Sequence, residues 1–91
     1  MDPKQSVEIL KALADETRLA IVRKVAESSE PTPGCDLPGA CQQQLSQPAM
    51  SHHINRLVEA GILGEVKRGT KKAYILHHDT LAHIGIDSTK L

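Results

Sequence analysis

The chain has 91 residues, room for one domain, and its eleven Lys and Arg balance eleven Asp and Glu to a formal net charge of zero. Hydrophobic residues make up 40% of it, which excludes a disordered chain; with no Trp, no Phe and one Tyr, the core must be aliphatic. A zero balance removes any whole-chain argument for a polyanionic partner, so such a partner requires an uneven distribution of charge.

Val7, Ile9, Leu10, Ala12 and Leu13 predict a short helix over Ser6–Leu13 with apolar atoms on more than one side. One side suits the domain core; the other asks for a second surface, such as a second subunit. Asp15 is placed to cap a second helix, with Arg18 where a capping box has Glu. Leu19, Ile21, Val22, Val25 and Ala26 carry that helix to about Ser28. The run Glu30-Pro31-Thr32-Pro33-Gly34 stops it.

Asp36 is expected to open a third, short helix whose apolar side is Leu37, Ala40, Cys41 and Leu45. Ser46 is the next expected cap, with Pro48 in the first turn, where its missing N–H costs nothing. Met50, Ile54, Leu57 and Val58 form a buried stripe on the fourth helix, and Gly61 ends it. The period then switches. Ile62–Arg68 and Lys72–Leu76 read as two strands around Gly69-Thr70. Asp79 or Thr80 is placed to cap a last short helix carrying Leu81, Ala82 and Ile84.

The order predicts a mainly α chain with a small β-hairpin: a winged helix-turn-helix of about five helices and a two-stranded wing. It is a single domain over 1–91. The helix-turn-helix falls at 36–61, the wing at 62–76 and the short C-terminal helix at 79–86. No apolar run approaches the roughly 18–20 residues that cross a bilayer. The first residues lack the pattern of a secretory signal, so the expected location is the cytoplasm, without membrane contact. Two cysteines are too few for a disulfide scaffold. There is no phosphate-binding glycine loop, nucleophile elbow or acid pair, so no enzyme activity and no cofactor is expected.

Divided along the chain, the charge is uneven. Residues 46–76 carry Arg56, Lys67, Arg68, Lys71 and Lys72 against Glu59 and Glu65, a net +3, while the remainder is acidic. On the fourth helix, His52, Asn55, Arg56 and Glu59 lie opposite the apolar stripe, with Ala49 beside them and Ser51 and His53 flanking it. The second helix of a helix-turn-helix enters the major groove, and its first residues reach the base edges. Gln pairs with adenine, Ser is adaptable, and Ala meets a thymine methyl. Ser46 and the helix start suit a phosphate. The DNA-facing set is therefore Ser46, Gln47, Ala49, Ser51, His52 and Arg56, with Lys67, Arg68, Lys71 and Lys72 on the wing. A polar helix face is also compatible with plain solvation, and a basic hairpin tip with solubility. The alternative is a winged-helix protein-interaction module whose basic wing meets an acidic partner.

The stretch Leu10-Lys11-Ala12-Leu13-Ala14-Asp15-Glu16-Thr17-Arg18-Leu19 resembles the opening of the ArsR/SmtB (arsenic-repressor) family of regulators. So does Leu45-Ser46-Gln47-Pro48-Ala49-Met50-Ser51-His52-His53-Ile54 with Leu57-Val58-Glu59-Ala60-Gly61-Ile62-Leu63. The resemblance implies a homodimeric winged-helix repressor that binds a palindromic operator in double-stranded DNA and is released by an inducer. It places DNA reading on Ser46, Gln47, Ala49, Ser51 and His52, and the wing at Lys67 to Lys72. Arg18 then matches a structural arginine, expected to anchor helices through an ion pair.

Family metal sites match only in part. Cys35-Asp36-Leu37 fits the end of a Cys-x-Cys site, but Pro33 stands where the first cysteine belongs. Cys41 falls on an apolar stripe, where cysteine is usually a small core residue. His77, His78, Asp79 and His83 resemble half of a second site, and no His or Glu follows to complete it. Cys35, Cys41, His77, His78 and His83 are thus the metal-ligating candidates, and no metal is assigned to them. The releasing signal is unassigned.

Overall fold

The computed structural model describes residues 3–37 and 47–91, apart from the side chains of Cys35 and Gln47. Helix α1 spans Pro3–Leu13. It begins three residues before the apolar pattern does, because a proline is suited to a first turn. Helix α2 spans Glu16–Ala26, and Asp15 caps it in extended conformation, its carboxylate accepting the Arg18 backbone N–H at 3.0 Å. Helix α3, the expected recognition helix, spans Gln47–Glu59.

Gly61 ends α3 at φ +81°, a conformation that glycine adopts without the clash a Cβ brings. Its N–H donates to the Val58 carbonyl at 3.0 Å, and the Ile62 N–H donates to the Leu57 carbonyl at 3.0 Å. That is the two-bond Schellman arrangement, and the apolar contact that accompanies it is Ile62 on Leu57, both fully buried. The chain therefore leaves α3 at a fixed angle and enters the sheet at once.

Strand β2 (Leu63–Arg68) pairs antiparallel with β3 (Lys71–Leu76) across a two-residue loop that begins at Gly69. A third strand was not foreseen. Thr32 and Pro33 form β1, paired antiparallel with Tyr74 and Ala73, so the sheet has the order β1-β3-β2 rather than two strands. Proline is tolerated there because β1 is an edge, where its missing N–H breaks no ladder.

Four α-helices stand among the described residues, against about five expected. Most of the expected third helix, residues 38–45, lies outside the description, as do Cys41 and Ser46. Asp36 does not open a helix. It closes a 3-10 turn over Gly34–Asp36, and Leu37 follows in extended conformation (φ −72°, ψ 147°). The last helix, α4, spans His78–His83 rather than 79–86, and His77 stands at its cap position without a side-chain bond. Neither Asp79 nor Thr80 caps it, because both lie inside its first turn. A 3-10 turn at Ser88–Lys90 follows, capped by Asp87.

Ile9 of α1, Ile21 and Val22 of α2, Leu57 of α3, Leu63 of β2 and Leu81 of α4 meet in one aliphatic core. Met50 is buried with them, while Ile54 and Val58 pack partly exposed against its margin. On the outer side of α1, Val7 and Leu10 are 48% and 53% exposed. The two-sided apolar pattern of that helix is thus one buried side and one open side.

Candidate nucleic-acid interface

The sheet register decides which wing residues face α3. Leu63 stands opposite Leu76, Glu65 opposite Tyr74 and Lys67 opposite Lys72. Paired residues share a face, and alternate residues along a strand return to it. The face that buries Leu63, Leu76 and Tyr74 in the core therefore runs outward into Glu65, Lys67 and Lys72. Arg68 and Lys71, also opposite each other, project from the other face at the tip.

An open cleft forms where that face meets α3. Ser51, Ile54, Asn55 and Val58 line it from the helix, and Glu65, Lys72 and Tyr74 from the wing. Polar side chains of α3 and a wing cation thus border one groove. All four wing cations are exposed. Among the described residues Lys72 is the one that is paired: its Nζ lies 2.9 Å from Glu65 Oε1. That hydrogen bond holds the Lys72 ammonium above its usual pKa range, with the Glu65 charge adding to it. Burial, then the Glu65 charge, pushes the Tyr74 hydroxyl above its usual range, so it remains a neutral phenol.

The tip carries like charges directly opposite one another, Lys67 facing Lys72 and Arg68 facing Lys71. Such pairs are unfavourable for a hairpin. An anion lying along the tip offsets that repulsion.

The recognition helix divides its polar residues between two sides. Ser51 and Asn55 face the wing groove, and Ser51 and His52 are exposed. Ala49 is half-buried, and the side chain of Gln47 is not described. Arg56 is exposed, but it borders a different cleft, against α1, together with Glu8, Ala12, Glu59 and Ala60. Helical spacing alone put Arg56 and Asn55 on one solvent face; α1 on one flank and the wing on the other separate them. Asn55 and Tyr74 are groove residues absent from the sequence-derived set. The signal for Asn55 was its place four positions after Ser51.

Arg18 holds this helix from behind. Its Nε donates to the Ala12 carbonyl at 2.7 Å and its Nη2 to the Lys11 carbonyl at 3.3 Å, while Nη1 meets His53 Nδ1 at 3.3 Å. The expected ion pair is not how it anchors. Its guanidinium satisfies carbonyls in the last turn of α1, groups that a helix end leaves without partners. Asp15 accepts the Arg18 backbone N–H instead, and that bond is the main reason its carboxyl sits below the usual range.

The described histidine candidates do not gather into one site. His78 Nδ1 is 2.8 Å from Ser88 Oγ, tying α4 to the C-terminal turn. His77 and His83 are exposed at opposite ends of α4, and Cys35 lies in the 3-10 turn beside β1. Among the described residues no three His, Cys, Asp or Glu side chains gather to hold an ion. No described helix is long and apolar enough to cross a membrane.

Comparison with known proteins agrees with this architecture. Residues 15–64 match the model of the bacterial regulatory protein family arsR. An uncharacterized HTH-type transcriptional regulator of Methanocaldococcus jannaschii is 35% identical over 89% of this chain and 88% of its own. The arsenical resistance operon repressor of Staphylococcus xylosus is 37% identical over 92% of this chain and 77% of its own. Among solved structures, a homodimeric winged helix-turn-helix DNA-binding domain from Mycobacterium bovis superposes with a TM-score of 0.73. It covers 89% of this chain and 71% of its own, and at 21% identity it shows the shared fold.

Proposed function

The chain belongs to the arsR family of bacterial regulatory proteins, a DNA-binding transcriptional regulator, and from that premise we propose that it is a cytoplasmic, homodimeric repressor of a palindromic operator. The observation that carries this reading is the single groove bordered by Ser51 and Asn55 of α3 and by the basic wing. A duplex seated there presents base edges to Ser51, His52, Ala49 and Gln47, and phosphate to Ser46, the residue before Gln47 in sequence. The backbone alongside lies against Lys67, Arg68 and Lys71. Arg56, on the α1 side, reaches a flanking phosphate at most and carries no base reading. Repression accords with the role named for the Staphylococcus xylosus relative. The open side of α1, with Val7 and Leu10 exposed, supplies apolar surface for a second copy.

Selection of bound sequences from random duplex DNA tests the reading, run with and without zinc and with and without an oxidant. A two-fold symmetric consensus is expected, because a dimer with two-fold symmetry reads two half-sites. Recovery of no consensus overturns it. Replacing Gln47 and Ser51 then relaxes the sequence recovered.

A further inference from the structure

The wing contains four cations but one carboxylate on the groove side, and that carboxylate is bonded to one of them. Glu65 lies two residues before Lys67 on β2, and Lys67 faces Lys72 across the ladder. The Lys72–Glu65 contact is thus a diagonal across the pair of strands, on the same face as the groove. It closes at 2.9 Å with the Glu65 side chain 34% exposed and the Lys72 side chain 57% exposed. Ser51 and Asn55 stand across the cleft from this pair. Lys67, Arg68 and Lys71 have no ion pair among the described residues.

We infer that Glu65 is a built-in counter-anion of the DNA groove: it occupies Lys72 in place of a phosphate, so the wing presents three effective cations to DNA rather than four. The inference rests on the reading that α3 and the wing bind duplex DNA. An exposed ion pair contributes little to fold stability. Its consequence lies elsewhere, in the number of counterions that binding releases. Each neutralised phosphate adds about 0.9 to the slope of log affinity against log salt, and a self-neutralised lysine adds nothing. Glu65 therefore lowers the sequence-independent part of the affinity next to the residues that read bases. It acts on any duplex alike.

The test titrates the full chain and its Glu65→Gln, Lys72→Gln and doubly substituted variants with a selected operator duplex and a scrambled duplex of equal composition. Thermal melts first establish that each variant is folded. Glu65→Gln is expected to tighten binding to both duplexes and to steepen the salt slope by about 1.8, about 0.9 for each of the dimer's two wings. Its affinity then falls about 12-fold further than the parent's between about 50 and 200 mM salt. Lys72→Gln weakens binding, and the double variant returns to the parental slope. A Glu65→Gln slope equal to the parent's overturns the inference. So does a double variant shallower than the parent by about 1.8, because both copies of Lys72 then meet phosphates despite Glu65. A change in preference between the two duplexes also overturns it, in favour of base reading by Glu65. A parent chain that binds neither duplex overturns the DNA reading itself, whereas a binding parent with indifferent variants overturns the role of Glu65 alone.

Discussion

Arg18 and His53 are 35 positions apart in the chain, and Arg18 Nη1 lies 3.3 Å from His53 Nδ1. The arginine belongs to α2, the histidine to the recognition helix, and the other two guanidinium bonds go to the end of α1. One side chain therefore ties three helices. Arginine suits the task because its planar fork offers several donors in fixed directions, which an ammonium does not.

Arg18→Ala is expected to cost about 1.5–3 kcal/mol, the range for hydrogen bonds made by a charged group, with the α1 carbonyls left short of a donor. Arg18→Lys is expected to recover less than half of that loss. His53→Ala, which removes one of the three guanidinium contacts of Arg18, is expected to cost about 0.5–1.5 kcal/mol. Urea denaturation of the three variants checks the order; an Arg18→Ala chain as stable as the parent contradicts it.

Asp15→Ala is expected to cost about 1 kcal/mol near neutral pH through loss of the α2 cap. The Asp15 carboxyl is lowered in the folded chain, chiefly by the Arg18 backbone N–H. Ionised, it favours the fold above the unfolded value of about 3.9, and the advantage is lost as pH falls through the lower, folded value. The stability gap between parent and variant should therefore be full at pH 6 and should close below about pH 4. A gap that persists unchanged in acid contradicts this cause.

Arg68→Gln with Lys71→Gln is expected to lower the magnitude of the salt slope by about 3.6, two phosphate contacts in each of the dimer's two wings at about 0.9 each. Affinity for operator and scrambled duplex should fall by the same factor. A loss confined to the operator places these residues at bases instead.

Val7→Glu with Leu10→Glu is expected to give a folded monomer, since both side chains are already exposed in the single chain. Sedimentation equilibrium reads the change in mass, and circular dichroism reads the retained helix. A variant that stays dimeric moves the subunit contact away from α1.

Local signals carried much of the fold. Asp15, Gly61 and the Met50–Leu57 stripe act within one or two turns of their own positions, so their spacing was legible. Strand β1 was not, because Pro31-Thr32-Pro33 is a break by local rules and becomes a strand only through Tyr74 and Ala73, about forty residues on. The Arg18 contacts with the Ala12 and Lys11 carbonyls, six and seven positions back, depend on how α1 packs beside α2, where the family resemblance implied an ion pair. In the candidate site, the basic tip was legible as composition. The Glu65–Lys72 bond and the separation of Arg56 from Asn55 were not, since both follow from register and from neighbouring elements rather than from spacing.

The pairing of Thr32 with Tyr74 and of Pro33 with Ala73 makes the hairpin a cantilever. Its clamped end is the segment that leads into the helix-turn-helix, and its free end is the charged tip at Gly69. Bending therefore begins beyond Ala73, and the short stretch from there to the loop sets how stiffly the cations are held.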